Sequence, residues 1–384
     1  MTTGLRVPGV RSGLSQVLVW GCGLGLAVLA GCASVDKPDP TPLQTLTPTV
    51  AVRQVWTQRV GSVDFPLAVA VNDNSFTVAS DDGTVVKLRA DTGAELWRTS
   101  VDAKLSAGVG SDGRVSAVVT RNNELIALDG ATVSWRVQLP SRVVSAPLVA
   151  GERVFVVATD RTVWAFDAFD GRKLWTLQKP GDPLTLSQAG VLIPFKDTLL
   201  VGQGARLNGL DPLVGTVRWE VTLASPRGTN EVERLADLVG PAARVGPMVC
   251  SRAFQAAVAC LSAEGGSLLW TRPAGGTVGV GADEKVVIGA DGSDRVTAWR
   301  TSDGSVAWTN ETLLYRNLSA PLVTEQRAVI GDLEGMVHWL SREDGSALSR
   351  LPTDNSAIRV APVVSGRTTL VVTSEGGLFA FRPE

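Results

Sequence analysis

Tryptophan recurs along this chain at Trp56, Trp97, Trp135, Trp175, Trp219, Trp270 and Trp308. The steps between them are 41, 38, 40, 44, 51 and 38 residues, and a further 41 reaches Ser349 in the stretch DGSALS. A period near forty residues is that of a unit of four short strands, which cannot bury its own faces and must stack against copies of itself. Four residues ahead of most of these positions stands a glycine: Gly93, Gly171, Gly215, Gly266, Gly304 and, before Ser349, Gly345. Glycine there marks a tight turn into the last strand of a unit, where positive φ is needed. Upstream, stretches such as RVFVVATDRTVWAFD hold short β-branched runs broken by turn formers. Pro147, Pro194, Pro247, Pro321 and Pro362 fall where each unit's first strand should start, a place that need not donate a ladder hydrogen bond.

The last copy ends in GLFAFRPE, before any turn glycine or tryptophan, whereas VRQVWTQRV around Trp56 is a fourth strand without a unit in front of it. Pairing the two ends removes both unpaired edges. The pattern therefore predicts an all-β, eight-bladed β-propeller of four-stranded blades over residues 51–384, its ring closed by the N-terminal strand. In the copy AFDAFDGRKLW, Ala165, Asp167, Gly171 and Trp175 become the joints of one blade against the next. The seven tryptophans are blade-packing residues, each burying a large ring with one polar tip to satisfy. Asp167 and Asp211, at the same place in their copies, are expected to make structural hydrogen bonds.

Ahead of this body, Arg6 and Arg11 precede an apolar run over residues 14–29, the layout of a secretory signal rather than a membrane span. The run closes on LAGC at residues 29–32, which resembles the lipobox of bacterial lipoproteins. That resemblance implies a signal over residues 1–31, removal of Cys22 with it, and lipid on Cys32 as the first mature residue. Ala33, in place of the aspartate often used for inner-membrane retention, points to the outer membrane. A soluble periplasmic protein cut elsewhere is the alternative. Residues 32–50 continue as a Pro- and Thr-rich tether expected to stay extended and exposed.

Net charge is −2, from 36 basic and 38 acidic residues, so no overall field draws the chain to nucleic acid. His338 is the single histidine, and the isolation of that residue argues for a plain packing or surface role and against a metal site or acid–base catalysis. In VCSRAFQAAVACL, Cys250 and Cys260 are equidistant from Gln255. A hairpin turning there would set them opposite each other, close enough for a disulfide in an oxidising compartment; two buried thiols are the alternative.

The repeats resemble those of the pyrroloquinoline-quinone-type propellers, which include quinoprotein dehydrogenases and non-catalytic scaffolds. The dehydrogenases carry an adjacent cysteine pair, which is missing here, so no cofactor and no catalytic residue is expected. The lipobox, the eight-copy body and the segments DPLTLSQAG, TNEVERLADL and VIGDLEGMVHWLSREDG together resemble the BamB family of outer-membrane assembly lipoproteins. The resemblance implies a scaffold of the β-barrel assembly machinery, facing the periplasm and docked to the POTRA domains of BamA. Unfolded outer-membrane protein precursors are a second candidate partner, by strand addition at blade edges. A dehydrogenase and a ligand-binding periplasmic propeller are the competing classes.

The spacing of tryptophan to next proline points to the same surface. It is 12 residues from Trp135 to Pro147 and 13 from Trp308 to Pro321, but 19 from Trp175 to Pro194 and 28 from Trp219 to Pro247. Two enlarged loops thus sit on adjacent blades of one face, where binding tends to reside. The first carries Leu184 and Leu186; the second carries Glu231, Glu233, Arg234, Leu235, Asp237 and Leu238. By motif the resemblance assigns partner binding to Leu184, Leu186 and Asp237. Two departures stand out: Ser187 replaces the family's arginine, and the family's second acid is absent from LVGPAARVG. Arg234 or Arg244 would then carry the displaced charge, unless the loops merely cover the rim.

Overall fold

A computed structural model describes residues 1–5, 9, 38–179, 184–225, 229–324 and 326–384. Most of the expected signal, residues 6–8 and 10–31 with Cys22, and also Cys32, Ala33 and Pro183 lie outside these residues. Met1–Asp39 is a unit by itself and, among its described residues, has no helix or strand.

Pro40–Glu384 folds into eight four-stranded antiparallel sheets arranged as a ring, the predicted eight-bladed propeller. Blades 1 to 7 span residues 70–100, 110–138, 148–178, 192–222, 238–273, 281–310 and 322–352. Blade 8 takes three strands from residues 363–383 and its fourth, Val52–Arg59, from the start of the propeller. That strand runs antiparallel to Gly377–Pro383, from Val52 opposite Pro383 to Arg59 opposite Gly377.

Burial follows strand position. Second strands such as Ser75–Ala79 and Val115–Val119 are buried at every residue, because a blade packs on both of its faces. Fourth strands alternate, as in Lys173–Gln178, with one face on the neighbouring blade and one in water. The core lies between blades: Val115, Ala117 and Val119 of blade 2 meet Val154, Val156 and Phe166 of blade 3. Each buried valine or phenylalanine contributes about 1.5–3 kcal/mol.

The tryptophans reach forward to the next blade. Trp135 Nε1 donates to Ala168 O at 2.9 Å and Trp175 Nε1 to Pro212 O at 2.9 Å, each carbonyl lying three residues ahead of the turn glycine. Trp56, Trp270 and Trp308 do the same to Ala90, Thr301 and Arg342. Gly171 is at φ +73°, and a Cβ there would stand 2.7 Å from the Trp135 ring. Conformation and closeness both require glycine. Trp219 seats beside Gly266 but finds no partner for Nε1 among the described residues, and Trp97 is half-buried against the core between blades 1 and 2. Asp167 and Asp211 accept the backbone N–H of Phe169 and Leu213, at 2.9 and 2.8 Å, and so shape the same turns.

Two expectations need correction. Pro147, Pro321 and Pro362 immediately precede first strands, but Pro194 lies inside Leu192–Phe195 and Pro247 follows the first strand of blade 5 altogether. That strand, Leu238–Val245, carries a register shift between Val239 and Ala243, so the sequence spacing counted part of a strand as loop. The second correction concerns the tether, whose last part is docked rather than free. Thr41 N donates to Leu314 O at 3.0 Å, Thr49 N to Leu348 O at 2.9 Å, and Leu43 packs into the core shared by blades 6 and 7. Arg316 and Arg350 donate to the carbonyls of Thr41 and Gln44.

Cys250 and Cys260 pair in register across the second and third strands of blade 5 and are joined as a disulfide, with Gln255 in the turn at φ +50°. His338, 2 % exposed, hydrogen-bonds through Nε2 to Asp332 at 2.9 Å; Asp332 also accepts from Arg316 Nε at 2.7 Å.

Candidate functional site

Chain segments joining a fourth strand to the next first strand all open on one face, together with the turns between second and third strands, because antiparallel strands alternate in direction. On that face the two longest connections are 179–191, between blades 3 and 4, and 223–237, between blades 4 and 5. The others run from seven residues, 274–280, to eleven, 311–321. The corrected strand boundaries shorten both loops relative to the proline spacing and leave their rank unchanged.

Hydrogen bonds tie the two loops together. Asp237 Oδ2 accepts the Leu186 N–H at 2.8 Å, and Leu238 N donates to Gly204 O at 2.9 Å in the turn between them. Thr185 Oγ1 donates to Thr159 O at 3.1 Å and Gly190 N to Ser145 Oγ at 2.8 Å, fastening the first loop to blades 2 and 3. Inside the second loop Asn230 Oδ1 accepts the Glu233 N–H at 2.9 Å, and Glu233 Oε2 accepts the Thr229 N–H at 2.7 Å. This reciprocal arrangement has the logic of a helix capping box on a single turn. Hydrogen bonds from the Thr229 backbone and hydroxyl hold the Glu233 carboxyl below its usual range. Glu233 is thereby committed to the loop's own structure.

What remains outward is apolar, with charge that is unpaired among the described residues. Leu184 is 36 % exposed, Val232 is 68 % exposed, and Glu231 and Arg234 are exposed beside them. Leu184, Arg234 and Asp237 line one cleft of about 520 Å³, whose floor includes Lys179 and Glu220. Lys179 and Arg206 both pair with Glu220, and the Lys179 contact is the main cause lowering its carboxyl pKa. Leu186 and Asp237 line a second, smaller cleft alongside. Arg161 borders both.

The structure thus brings Leu184, Leu186, Arg234 and Asp237 into one neighbourhood. It does not bring Arg244 there: that residue lies toward the far end of Leu238–Val245, on the opposite face, where Nη1 donates to Pro194 O at 3.5 Å. Val232 escaped the sequence reading because one apolar residue among charges in NEVER carries no periodic signal. Its exposure comes from the capped turn.

The comparisons converge on one family. A family model described as outer membrane protein assembly factor BamB matches residues 81–310. The outer membrane protein assembly factor BamB of Burkholderia pseudomallei (strain K96243) is 37 % identical over 371 residues, covering 94 % of this chain and 97 % of that protein. Among solved structures, BamB from Moraxella catarrhalis superposes with a TM-score of 0.78 at 23 % identity, covering 86 % of this chain and 100 % of that one. Quinohemoprotein alcohol dehydrogenase ADHIIG from Pseudomonas putida HK5 superposes with a TM-score of 0.67 at 12 % identity, covering 89 % of this chain and 78 % of that one, a likeness of fold alone. The length of the sequence match, beyond any likeness of architecture, shows that the chain belongs to the family of the outer membrane protein assembly factor BamB.

Proposed function

We propose that the protein is a non-catalytic scaffold of outer-membrane protein assembly, held by lipid on Cys32 to the inner leaflet of the outer membrane and facing the periplasm. The relatives at 34–37 % identity are named outer membrane protein assembly factors, which supports the role in assembly. On this reading the face over blades 3 to 5 docks the periplasmic POTRA domains of BamA. The observation that carries it is the latch between the two longest loops, Asp237 Oδ2 to Leu186 N at 2.8 Å, which holds Leu184 and Val232 outward on a rigid ring. A few apolar anchors rimmed by charge are what a modest protein interface requires.

The test is co-purification of BamA from the same cells with wild type and with a Leu184→Ala, Leu186→Ala, Asp237→Ala variant of unchanged circular dichroism. Capture by wild type and its loss in the variant is the expected result. Equal capture would move the contact away from these loops. Absence of capture by wild type would remove the partner assignment.

A further inference from the structure

The turns between second and third strands in blades 1, 2, 3, 6, 7 and 8 share one build. The fourth residue of each returns its N–H to the first residue's carbonyl, at 3.1, 3.0, 2.9, 3.0, 3.3 and 3.0 Å respectively. That fourth residue always has positive φ: Gly83 at +96°, Asn123 at +61°, Arg161 at +67°, Asp294 at +65°, Gly335 at +77° and Gly376 at +80°. Glycine accepts this conformation freely and Asn and Asp tolerate it, whereas a long side chain is disfavoured by its Cβ. Asp294 has an evident use, since its carboxylate accepts the N–H groups of Asn317 and Leu318 at 2.6 and 3.0 Å.

Arg161 has no such internal use among the described residues. Its guanidinium enters no ion pair there, and its Nε is buried without a partner. The side chain lies over Gly204 beside the loop latch: a Cβ built on Gly204 would be 3.8 Å from Arg161 Nη2 and 3.9 Å from Asp237 Oδ1. Nearby Lys179 and Arg206 share the single carboxylate of Glu220, and Asp237 is engaged by the Leu186 N–H. Arg161 thus keeps a disfavoured backbone conformation and a charged side chain at the junction of two clefts, a combination that residues at binding sites show.

We infer that Arg161 supplies a cation of the docking surface, deeper than the exposed Arg234 on the same cleft, and that the partner presents a carboxylate to it over Gly204. The inference rests on the docking reading above. A guanidinium recognises a carboxylate through two parallel N–H donors, which adds direction as well as charge.

The experiment titrates full-length protein in detergent against full-length BamA at about 50 and about 300 mM NaCl, either side of the range where screening changes most. Arg161→Gly, Arg161→Glu and Arg161→Lys are compared with wild type and with the Leu184, Leu186, Asp237 triple variant. Arg161→Gly is expected to melt no lower than wild type, since glycine relieves the turn, yet to bind about tenfold more weakly and with a flatter salt dependence. Arg161→Glu should bind more weakly still, and Arg161→Lys should recover part of the loss. Wild-type affinity in Arg161→Gly, with binding lost in the triple variant, would leave the docking surface standing and overturn the role of Arg161. Wild-type affinity in the triple variant and in Arg161→Gly together would overturn both.

Discussion

At the scale of single residues, the joint between blades is a tryptophan pressed against a glycine that nothing else can replace. Gly215 is at φ +75°, and a Cβ on it would stand 2.5 Å from the Trp175 ring. Gly215→Ala should therefore cost about 2–3 kcal/mol, read from the urea midpoint, through strain and overpacking together. The periodicity of tryptophan and glycine made this joint legible in the sequence. The Ser349 exception was visible as well, but its reason was not. A tryptophan there would need the turn of the following blade, and blade 8 has none, because its third strand ends at Pro383 and its fourth begins at Val52. His338 gives a second residue-scale prediction. Burial lowers its pKa from 6.5, and the nearby charges of Arg350 and Arg316 act in the same direction, outweighing the hydrogen bond and charge of Asp332. The unfolded chain then binds more protons than the folded one as pH falls below about 6.5, so stability should drop between pH 7 and 5. His338→Gln should flatten that drop in a melting series; an unchanged slope would assign it to other groups.

At the scale of elements, the docked part of the tether and the two latched loops show what periodicity cannot carry. Residues 40–50 have no alternating apolar face, yet they lie along blades 6 and 7 because Leu43 finds a core pocket and Arg316 and Arg350 offer donors to their carbonyls. Those partners lie some three hundred residues away in the chain. Leu43→Ala combined with Arg350→Ala should release this segment, seen as faster thermolysin cleavage within residues 40–50 while the propeller stays intact. Cleavage at the wild-type rate would mean that Arg316 and the backbone hydrogen bonds suffice to hold it. The loops were legible as long and adjacent, and Leu184, Leu186 and Asp237 were legible by motif, while Arg234 stood only beside Arg244 as a carrier of displaced charge. The latch was not, since it joins residues 186 and 237 across blade 4. Neither was Arg161, whose turn is unremarkable until its φ is set beside those of the other blades.

At the scale of the whole molecule, ring closure ties the two ends of the propeller into one cooperative unit. The Val52–Arg59 strand covers the edge of Gly377–Pro383 and brings Trp56 onto Ala90 of blade 1. Deleting residues 40–59 should expose that edge and unseat the joint between blades 8 and 1, giving aggregation on size exclusion and loss of a single sharp melting transition. A soluble monomer with wild-type melting would show that seven complete blades hold the last one without closure.

The repeat, the blade count and the closure were determined by the sequence itself, because each blade is a local unit whose turns and joints recur at fixed spacing. The register shift in blade 5, the docking of residues 40–50, the buried network of His338, Asp332 and Arg316, and the meeting of Arg161 with the loop latch were decided by the tertiary structure. The physical reason is range. Strand and turn preferences act over a few residues and repeat, whereas these contacts form once, between groups that only the closed ring brings together.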